Sequence, residues 1–314
     1  MVDFAYLYRG LCGLSRAHRA NSMAGHLGAA VVAGYLYGED NADLAPDVGE
    51  AVGGYLDRLV AGEEPNWFDP DKTGITVSEM FAPWEPEEGD PAPVGDIAAA
   101  LSGNIGEFRQ SGHNVIFASL ALRALSDHPR HATPAVVGGI CRLIEGFDSS
   151  GGGRAYFGEE RGWIEAADIP VDDSFPTYDT LEGMAALLLD ELPDSPEDRR
   201  RGVGGPQHVV NHAAALIDLT AHGYGDLARQ GFAAQRRHVQ LWRALPKLTD
   251  ELGPIVKAPL PPTDAEFWRT AEAKNESASL THRIKTLYGF GRLMTVVEDA
   301  AAVRDATDKL QYLI

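Results

Sequence analysis

Several segments of the chain are apolar on every side, and this feature limits most strongly what the chain can fold into. The segment from Met23 to Tyr37 is rich in Ala and Gly, and the run from Pro206 to Leu219 is similar. A helix that is apolar all round must be buried against other elements. The chain has no run of about 18 uninterrupted apolar residues, so we expect these helices in a protein core and not in a bilayer.

Amphipathic segments alternate with the apolar ones. In residues 47–60 and 224–245 the apolar positions recur at helical spacing. Strand signals are scarce, because no period-two alternation persists and no Asn-Gly or Asp-Gly hairpin turn joins β-rich runs. We therefore predict an all-α fold. The alternation further predicts a single domain over residues 1–314 of paired inner and outer helices, as an α/α toroid or a solenoid-like bundle with long Pro/Gly-rich loops.

Two long stretches interrupt the helical pattern. Residues 61–95 contain six prolines, which forbid a continuous helix. They also contain Trp67 and Trp84, and a loop this long in a compact domain is often a functional lid, so we predict a lid. Residues 146–178 form an irregular connection. Their Gly-rich start, Ser149 to Arg154, lacks the Lys-Ser/Thr of a phosphate-binding loop, and we interpret it as flexible.

The charge and the cysteines restrict the partners and the location. The formal net charge is −19, from 46 acidic and 27 basic residues. Such a surface repels phosphate backbones and anionic lipid headgroups, so we expect a small-molecule substrate, no nucleic acid and no membrane, with a protein partner or a homodimer left open. Cys12 and Cys141 are too few for a disulfide framework. The N-terminus has no signal-peptide pattern, and we expect a cytoplasmic protein.

Histidines recur near the start of the apolar segments. His208 and His212 lie four residues apart, so they share one face of a helix. Near the first turn of a helix, the dipole lowers the pKa of a histidine and favours the neutral ring, which can accept a proton. We predict that four histidines line a central cavity as catalytic acid–base residues: His26, His113, His212 and His282.

Other side chains near these histidines are candidates for contact with a substrate. Lys285 follows His282 by three residues on the same helical face and can supply charge to an anionic substrate or intermediate. The predicted substrate-binding residues are His208, Lys285, Tyr35, Tyr288, Trp67 and Trp84. Four further histidines fall at predicted helix ends or on polar faces, and we interpret them as solvent-facing: His128, His131, His222 and His238.

Metal binding and nucleophilic catalysis are the alternatives considered for this pattern. The spacing of His208 and His212 fits helical zinc ligation, with a third ligand from another helix. However, Val209 follows His208, where a zincin carries its Glu general base. We therefore predict no metal. Since the chain has no Gly-x-Ser-x-Gly elbow and no signature around its cysteines, we predict no covalent nucleophile of those types.

Three short motifs of the chain resemble the questin oxidase-like family. They are His26-Leu-Gly-Ala-Ala, then His208-Val-Val-Asn-His212-Ala-Ala-Ala followed by Gly223-Tyr, and His282-Arg-Ile-Lys285. The resemblance implies a tailoring enzyme of secondary metabolism that performs a Baeyer–Villiger-type ring-opening oxidation, with NADPH as a candidate cofactor. It transfers no catalytic residue, and the chain lacks a Rossmann fingerprint for a nicotinamide or flavin.

Three functional hypotheses follow from the sequence. The first is the oxidative tailoring enzyme that the resemblance implies. The second is a redox-neutral enzyme that uses neutral histidine as a general base for cyclisation, elimination or intramolecular displacement. The third is a non-catalytic protein that binds a small molecule or a partner. No cofactor is firmly implied by the residues themselves.

Overall fold

A computed structural model describes residues 1–64, 67–85, 93–191, 198–273 and 279–314. Helix accounts for 63% and strand for 2%, which confirms the predicted all-α class. The described helices are α1 (Ala5–Ala17), α2 (Gly25–Asp40), α3 (Pro46–Val60), α4 (Pro70–Thr73), α5 (Val77–Phe81), α6 (Val94–Ser102), α7 (His113–Asp127), α8 (Pro134–Glu145), α9 (Leu181–Glu191), α10 (Gly205–Ala221), α11 (Gly225–Ala244), α12 (Thr249–Leu252), α13 (Ala265–Arg269), α14 (Ser279–Met294) and α15 (Ala300–Leu310). None of the helices in these ranges is long and apolar enough to cross a membrane.

The contacts within the chain group into two compact units. Unit 1 comprises residues 1–101, 117–147 and 259–288, and unit 2 comprises residues 102–116, 148–258 and 289–314. Helices α7 and α14 each contribute one part to each unit. The single domain and the inner and outer layers stay predictions.

Unit 1 is built on the apolar helix α2. Its residues are buried from Gly25 to Gly38, which confirms that this all-apolar segment lies in a core. Helix α1 packs closely against it, because a Cβ placed on Gly28 would lie 2.2 Å from the backbone nitrogen of Leu14. A side chain at that position would therefore push the two helices apart.

Unit 2 is built on the helical pair α10 and α11. Helix α10 is buried from His208 to Leu219, again as its apolar sequence predicts. The chain turns at Gly223, whose φ is 88°, and returns along α11. Unit 2 also contains an antiparallel hairpin of β1 (Arg154–Tyr156) and β2 (Trp163–Glu165).

The predicted loops contain more regular structure than expected. Residues 61–95 include α4, α5 and the start of α6, since short helices fit between the prolines. The residues 65–66 and 86–92 of this predicted lid lie outside the described ranges, and its role as a lid stays a prediction. The stretch 146–178 contains the hairpin β1–β2, which was not predicted because its two strands have only three residues each.

Candidate active site

The predicted catalytic histidines divide evenly between the two units. His26 and His282 belong to unit 1, and His113 and His212 belong to unit 2. Three of the rings are buried, and His282 is half-buried. Because each unit holds two of the rings, the convergence of all four on one cavity stays a prediction.

In unit 2, a second buried histidine holds His212 in place. The Nε2 atom of His238 lies 2.8 Å from the carbonyl oxygen of Val203. A carbonyl can only accept, so this nitrogen carries the proton and the neutral His238 has its lone pair on Nδ1. That Nδ1 lies 3.3 Å from Nδ1 of His212 and accepts a hydrogen bond from it. We call these three groups the His212–His238 relay.

The relay leaves His212 as a neutral ring with an open lone pair. Burial lowers the pKa of His212 well below its usual value, and His238 lowers it further. Burial also lowers the pKa of His238 from 6.5 to about 4, although the hydrogen bond to Val203 acts in the opposite direction. Nε2 of His212 has no hydrogen-bond partner among the described residues. A backbone carbonyl thus fixes the tautomers, and Nε2 of His212 is the atom that can accept a proton.

The solvent-facing interpretation of His238 is wrong, since this side chain is fully buried. Its position on α11 explains the burial. His238 lies in the same helical stripe as a set of buried apolar residues that repeat at intervals of three and four: Leu227, Gly231, Ala234 and Leu241. Tracing that stripe through the histidine would have identified it from the sequence.

Two other histidines of unit 2 form a direct pair. Nε2 of His113 lies 2.8 Å from Nε2 of His208, and Nδ1 of His208 lies 2.6 Å from the carbonyl oxygen of Gly204. The carbonyl requires a proton on Nδ1 of His208, so the neutral His208 accepts a hydrogen bond through Nε2 from His113. The predicted general base His113 and the predicted substrate contact His208 are therefore hydrogen-bonded to each other.

Left-handed backbone precedes both histidine groups of unit 2. Gln110, Ser111 and Gly112 have φ angles of 38°, 59° and 82° just before His113, and Val203 has a φ of 42°. Non-glycine residues rarely adopt this conformation, and for a β-branched residue it is an outlier. Strain of this kind costs about 1–3 kcal/mol per residue and concentrates at functional sites. The carbonyl that fixes the relay thus belongs to a strained residue.

The Gly-rich run from Ser149 to Arg154 holds both strained loops. The backbone N–H of Gln110 donates to the carbonyl of Gly151 at 2.8 Å, and the N–H of Val203 donates to the carbonyl of Arg154 at 2.8 Å. The run that we interpreted as a flexible connection is therefore hydrogen-bonded along its length. These backbone hydrogen bonds hold the two loops in position beside the histidines.

Gly112 lies directly against the ring of His212. A Cβ at this position would be 2.7 Å from Nδ1 of His212, which is closer than a carbon atom can pack without displacing the ring. The positive φ of Gly112 also favours glycine. The backbone of the loop therefore restricts the ring of His212 on the side of its Nδ1 atom.

In unit 1, four predicted site residues form a second group, in which two side chains are buried and two are half-buried. Nζ of Lys285 is hydrogen-bonded to Nδ1 of His26, and both side chains are buried. The indole of Trp67 stacks on His26 with ring centroids 3.7 Å apart and an interplanar angle of 19°. His282 meets the edge of His26 at 5.1 Å. We call Lys285, His26, Trp67 and His282 the Lys285 group.

The three remaining predicted substrate contacts lie in other surroundings. Tyr35 donates to a carboxylate one turn along α2 at 2.7 Å. Tyr288 accepts from Arg123 at 3.0 Å. Nε1 of Trp84 lies 3.0 Å from the hydroxyl of Ser15. These contacts place the three side chains in structural hydrogen bonds, and their contact with a substrate stays a prediction.

The side chains and strands of unit 2 can be compared with the requirements of zinc and of NADPH, the two cofactors considered from the sequence. The facing Nε2 atoms of His113 and His208 are of the type that binds zinc. The described strands pair antiparallel as a hairpin, whereas a dinucleotide fold requires a parallel βαβ unit. NADPH is therefore supported by the resemblance alone.

Comparison with protein-family models, with curated proteins and with solved structures gave no match to this chain.

Proposed function

We propose that this protein is an enzyme that removes a proton from a small organic substrate, with His212 as the general base. The observation that carries the proposal is the His212–His238 relay, in which the Val203 carbonyl fixes both tautomers and leaves Nε2 of His212 open. A catalytic base needs this combination of a neutral ring, a fixed orientation and a free lone pair. The strained residue that supplies the carbonyl supports the same interpretation.

The environment of His212 favours substrates with acidic protons. Because burial lowers the pKa of His212, the protonated ring is a strong acid and the neutral ring is a weak base. Efficient transfer is therefore favoured when the resulting anion is stable beside the imidazolium, as for a C–H flanked by carbonyl groups, a phenolic O–H, or a C–H whose removal opens a ring to a phenolate. His238 accepts the Nδ1–H of His212 and so holds the ring in one orientation during the transfer.

The reaction class that follows is redox-neutral. Removal of an acidic proton starts a cyclisation, an elimination or an intramolecular displacement, and none of these needs an oxidant. The partner is then a small molecule, and a cytoplasmic location with a homodimer or a protein partner remains part of the proposal. The Baeyer–Villiger-type oxidation implied by the family resemblance is the alternative, and it requires oxygen and a reductant.

The proposal can be tested with 5-nitrobenzisoxazole, a small probe whose ring opens when a base removes one C–H proton. We expect the purified full chain to accelerate the appearance of the coloured nitrophenolate. His212→Gln should lower this rate by about 100-fold or more, which is the range expected for loss of a general base. Since the pKa of His212 lies well below 6.5, the wild-type rate should be constant above neutral pH.

A matched control is His222→Gln, because His222 lies at the end of the same helix and bonds to the backbone carbonyl of Asp218 at 2.8 Å. This variant should keep the wild-type rate. A wild-type rate equal to that of folded His212→Gln would contradict the proposal. Oxygen uptake that depends on NADPH would instead favour the oxidative alternative, and probe binding without turnover would favour the binding protein.

A further inference from the structure

We propose that Lys285 of unit 1 is a nucleophilic amine that forms an imine with an aldehyde or ketone. This inference does not depend on the proposed general base His212. Three features distinguish Lys285: the apolar surroundings of its Nζ, the lack of an ion pair of the kind that the other described lysines form, and the indole of Trp67 that stacks on its partner His26.

The surroundings of Lys285 are those of a neutral amine. The side chain is 2% exposed, and its Nζ is hydrogen-bonded to a histidine nitrogen, Nδ1 of His26. Phe117 forms a further apolar wall, with its ring centroid 5.8 Å from Nζ. An imidazole nitrogen that accepts from an amine needs no charge on that amine, whereas burial penalises the ammonium form.

Neighbouring groups affect the stability of the ammonium form of Lys285 in opposite directions. The buried carboxylate of Glu64 favours the ammonium form, but its oxygens accept the backbone N–H groups of Leu280 and Thr281 at 2.8 and 3.0 Å. His26 lies in the first turn of α2, where the helix dipole disfavours an added positive charge. Desolvation is the largest effect and lowers the pKa of Lys285 to about 7. A substantial fraction of the amine is therefore neutral at physiological pH.

The other lysines of the chain differ from Lys285. The sequence contains six lysines, of which Lys274 lies outside the described ranges. Each of the four remaining lysines forms an ion pair with a carboxylate: Lys72 with Asp69, Lys247 with Asp198, Lys257 with Asp308 and Lys309 with Asp305. Ion pairs favour the ammonium form, which cannot attack a carbonyl. Of the described lysines, Lys285 therefore has the most nucleophilic amine.

Imine formation on Lys285 needs no reagent besides the carbonyl compound. The Nζ lone pair attacks the carbonyl carbon, so a C–N bond forms, and the amine passes one proton to Nδ1 of His26. His26 returns this proton to the oxygen, which gives the neutral carbinolamine, and the C–O bond then breaks as hydroxide leaves and takes up the second amine proton. Both amine protons thus end in water, and the imine remains on Lys285.

Trp67 controls access to this amine. Its indole covers one face of His26, and the side chain is half-buried, so one side of it borders the solvent. A carbonyl compound would reach Lys285 when this indole is displaced. Replacing Trp67 by Ala should therefore accelerate the reaction of Lys285 without removing the amine or His26.

The test is reductive trapping with benzaldehyde and sodium cyanoborohydride at neutral pH, followed by mapping of the benzylated lysines by mass spectrometry. We expect Lys285 to be modified about tenfold or more faster than Lys247 or Lys257, because a lowered pKa increases the fraction of neutral amine. Trp67→Ala should increase the rate at Lys285 alone. His26→Gln should decrease it, since the proton acceptor is lost.

Lys285→Met is the matched control, in which the adduct at this position disappears and the labelling of Lys247 and Lys257 is unchanged. Circular dichroism would establish that each variant is folded. Labelling of Lys285 no faster than that of Lys257, in both the wild type and folded Trp67→Ala, would overturn the proposal. The Trp67→Ala arm matters because it separates a blocked amine from an unreactive one.

Discussion

The two units hold their buried nitrogen bases in different ways. In unit 2 the carbonyl of Val203 fixes the protons of the relay, and the two relay histidines, His212 and His238, are neutral over a wide range of pH. In unit 1 the amine of Lys285 bonds to a side-chain nitrogen of His26, and burial brings its pKa to about 7. Burial lowers the pKa of both kinds of base. Because an ordinary lysine titrates at 10.5 and an ordinary histidine at 6.5, burial brings the pKa of Lys285 to about 7 and that of His238 to about 4, so only the amine changes its protonation state near neutral pH.

Lys285→Met offers the sharpest test of this comparison and has the largest expected effect. The folded pKa of about 7 lies below the ordinary 10.5, so between these values the unfolded chain binds a proton that the folded chain lacks. Wild-type stability therefore rises with pH across this window. The difference, 10.5 − 7 = 3.5, corresponds to about 5 kcal/mol. The stabilisation of Lys285→Met over the wild type, measured by urea unfolding, should decrease by about that amount from pH 7 to 10.5.

Lys257→Met is the control for this measurement, because Lys257 is partly exposed and its pKa is raised by Asp308. Its stability relative to the wild type should not decrease in that way between neutral and alkaline pH. A constant difference for Lys285→Met over the same window would remove the contrast between the two units.

His238→Gln tests the fixed protonation state in unit 2 and has a smaller expected effect. The pKa of His238 falls from 6.5 to about 4 on folding, so the unfolded chain binds more protons in this window and wild-type stability is lost as the pH drops through it. The difference, 6.5 − 4 = 2.5, corresponds to about 3 kcal/mol. His238→Gln can still donate to the Val203 carbonyl, and its urea midpoint should depend less steeply on acid pH. An unchanged slope would show that His238 is not buried as a neutral ring.

Gly112→Ala sharpens the comparison at the level of geometry, and its difference from a matched glycine variant, about 2 kcal/mol, is the smallest expected effect. The substitution places a Cβ 2.7 Å from Nδ1 of His212 at a φ of 82°. Gly223→Ala is matched to it, with a φ of 88° and nothing within 4 Å of the added atom. We expect a loss of about 3 kcal/mol for Gly112→Ala and about 1 kcal/mol for Gly223→Ala in urea unfolding. Equal losses would mean that the loop does not restrict the ring.

The sequence was sufficient to predict the helices and several members of both groups. The apolar segments that become α2 and α10 are buried because they have no polar face. The spacing of His282 and Lys285 placed both on one helical face, and both belong to the Lys285 group. Local periodicity can predict such features because it acts over a few residues.

The sequence was not sufficient to predict the partners that give these residues their chemistry. Val203 acts through its backbone carbonyl, and no residue type signals that a carbonyl will accept a hydrogen bond from a histidine 35 positions away. Glu64 lies in a stretch predicted as a loop and caps α14 from 216 positions away. Such contacts depend on tertiary packing, and the periodicity of a single segment contains no information about them.

The carboxylate of Glu64 has a mechanical consequence for unit 1. It fastens the first N–H groups of α14, the helix that carries His282 and Lys285, to the chain just beyond α3. Trp67, the covering indole, lies only three residues further along the same short stretch. We expect a molecule that displaces this indole to change the capping of the helix bearing the amine as well, so that the admission of a ligand and the alignment of the amine would be linked.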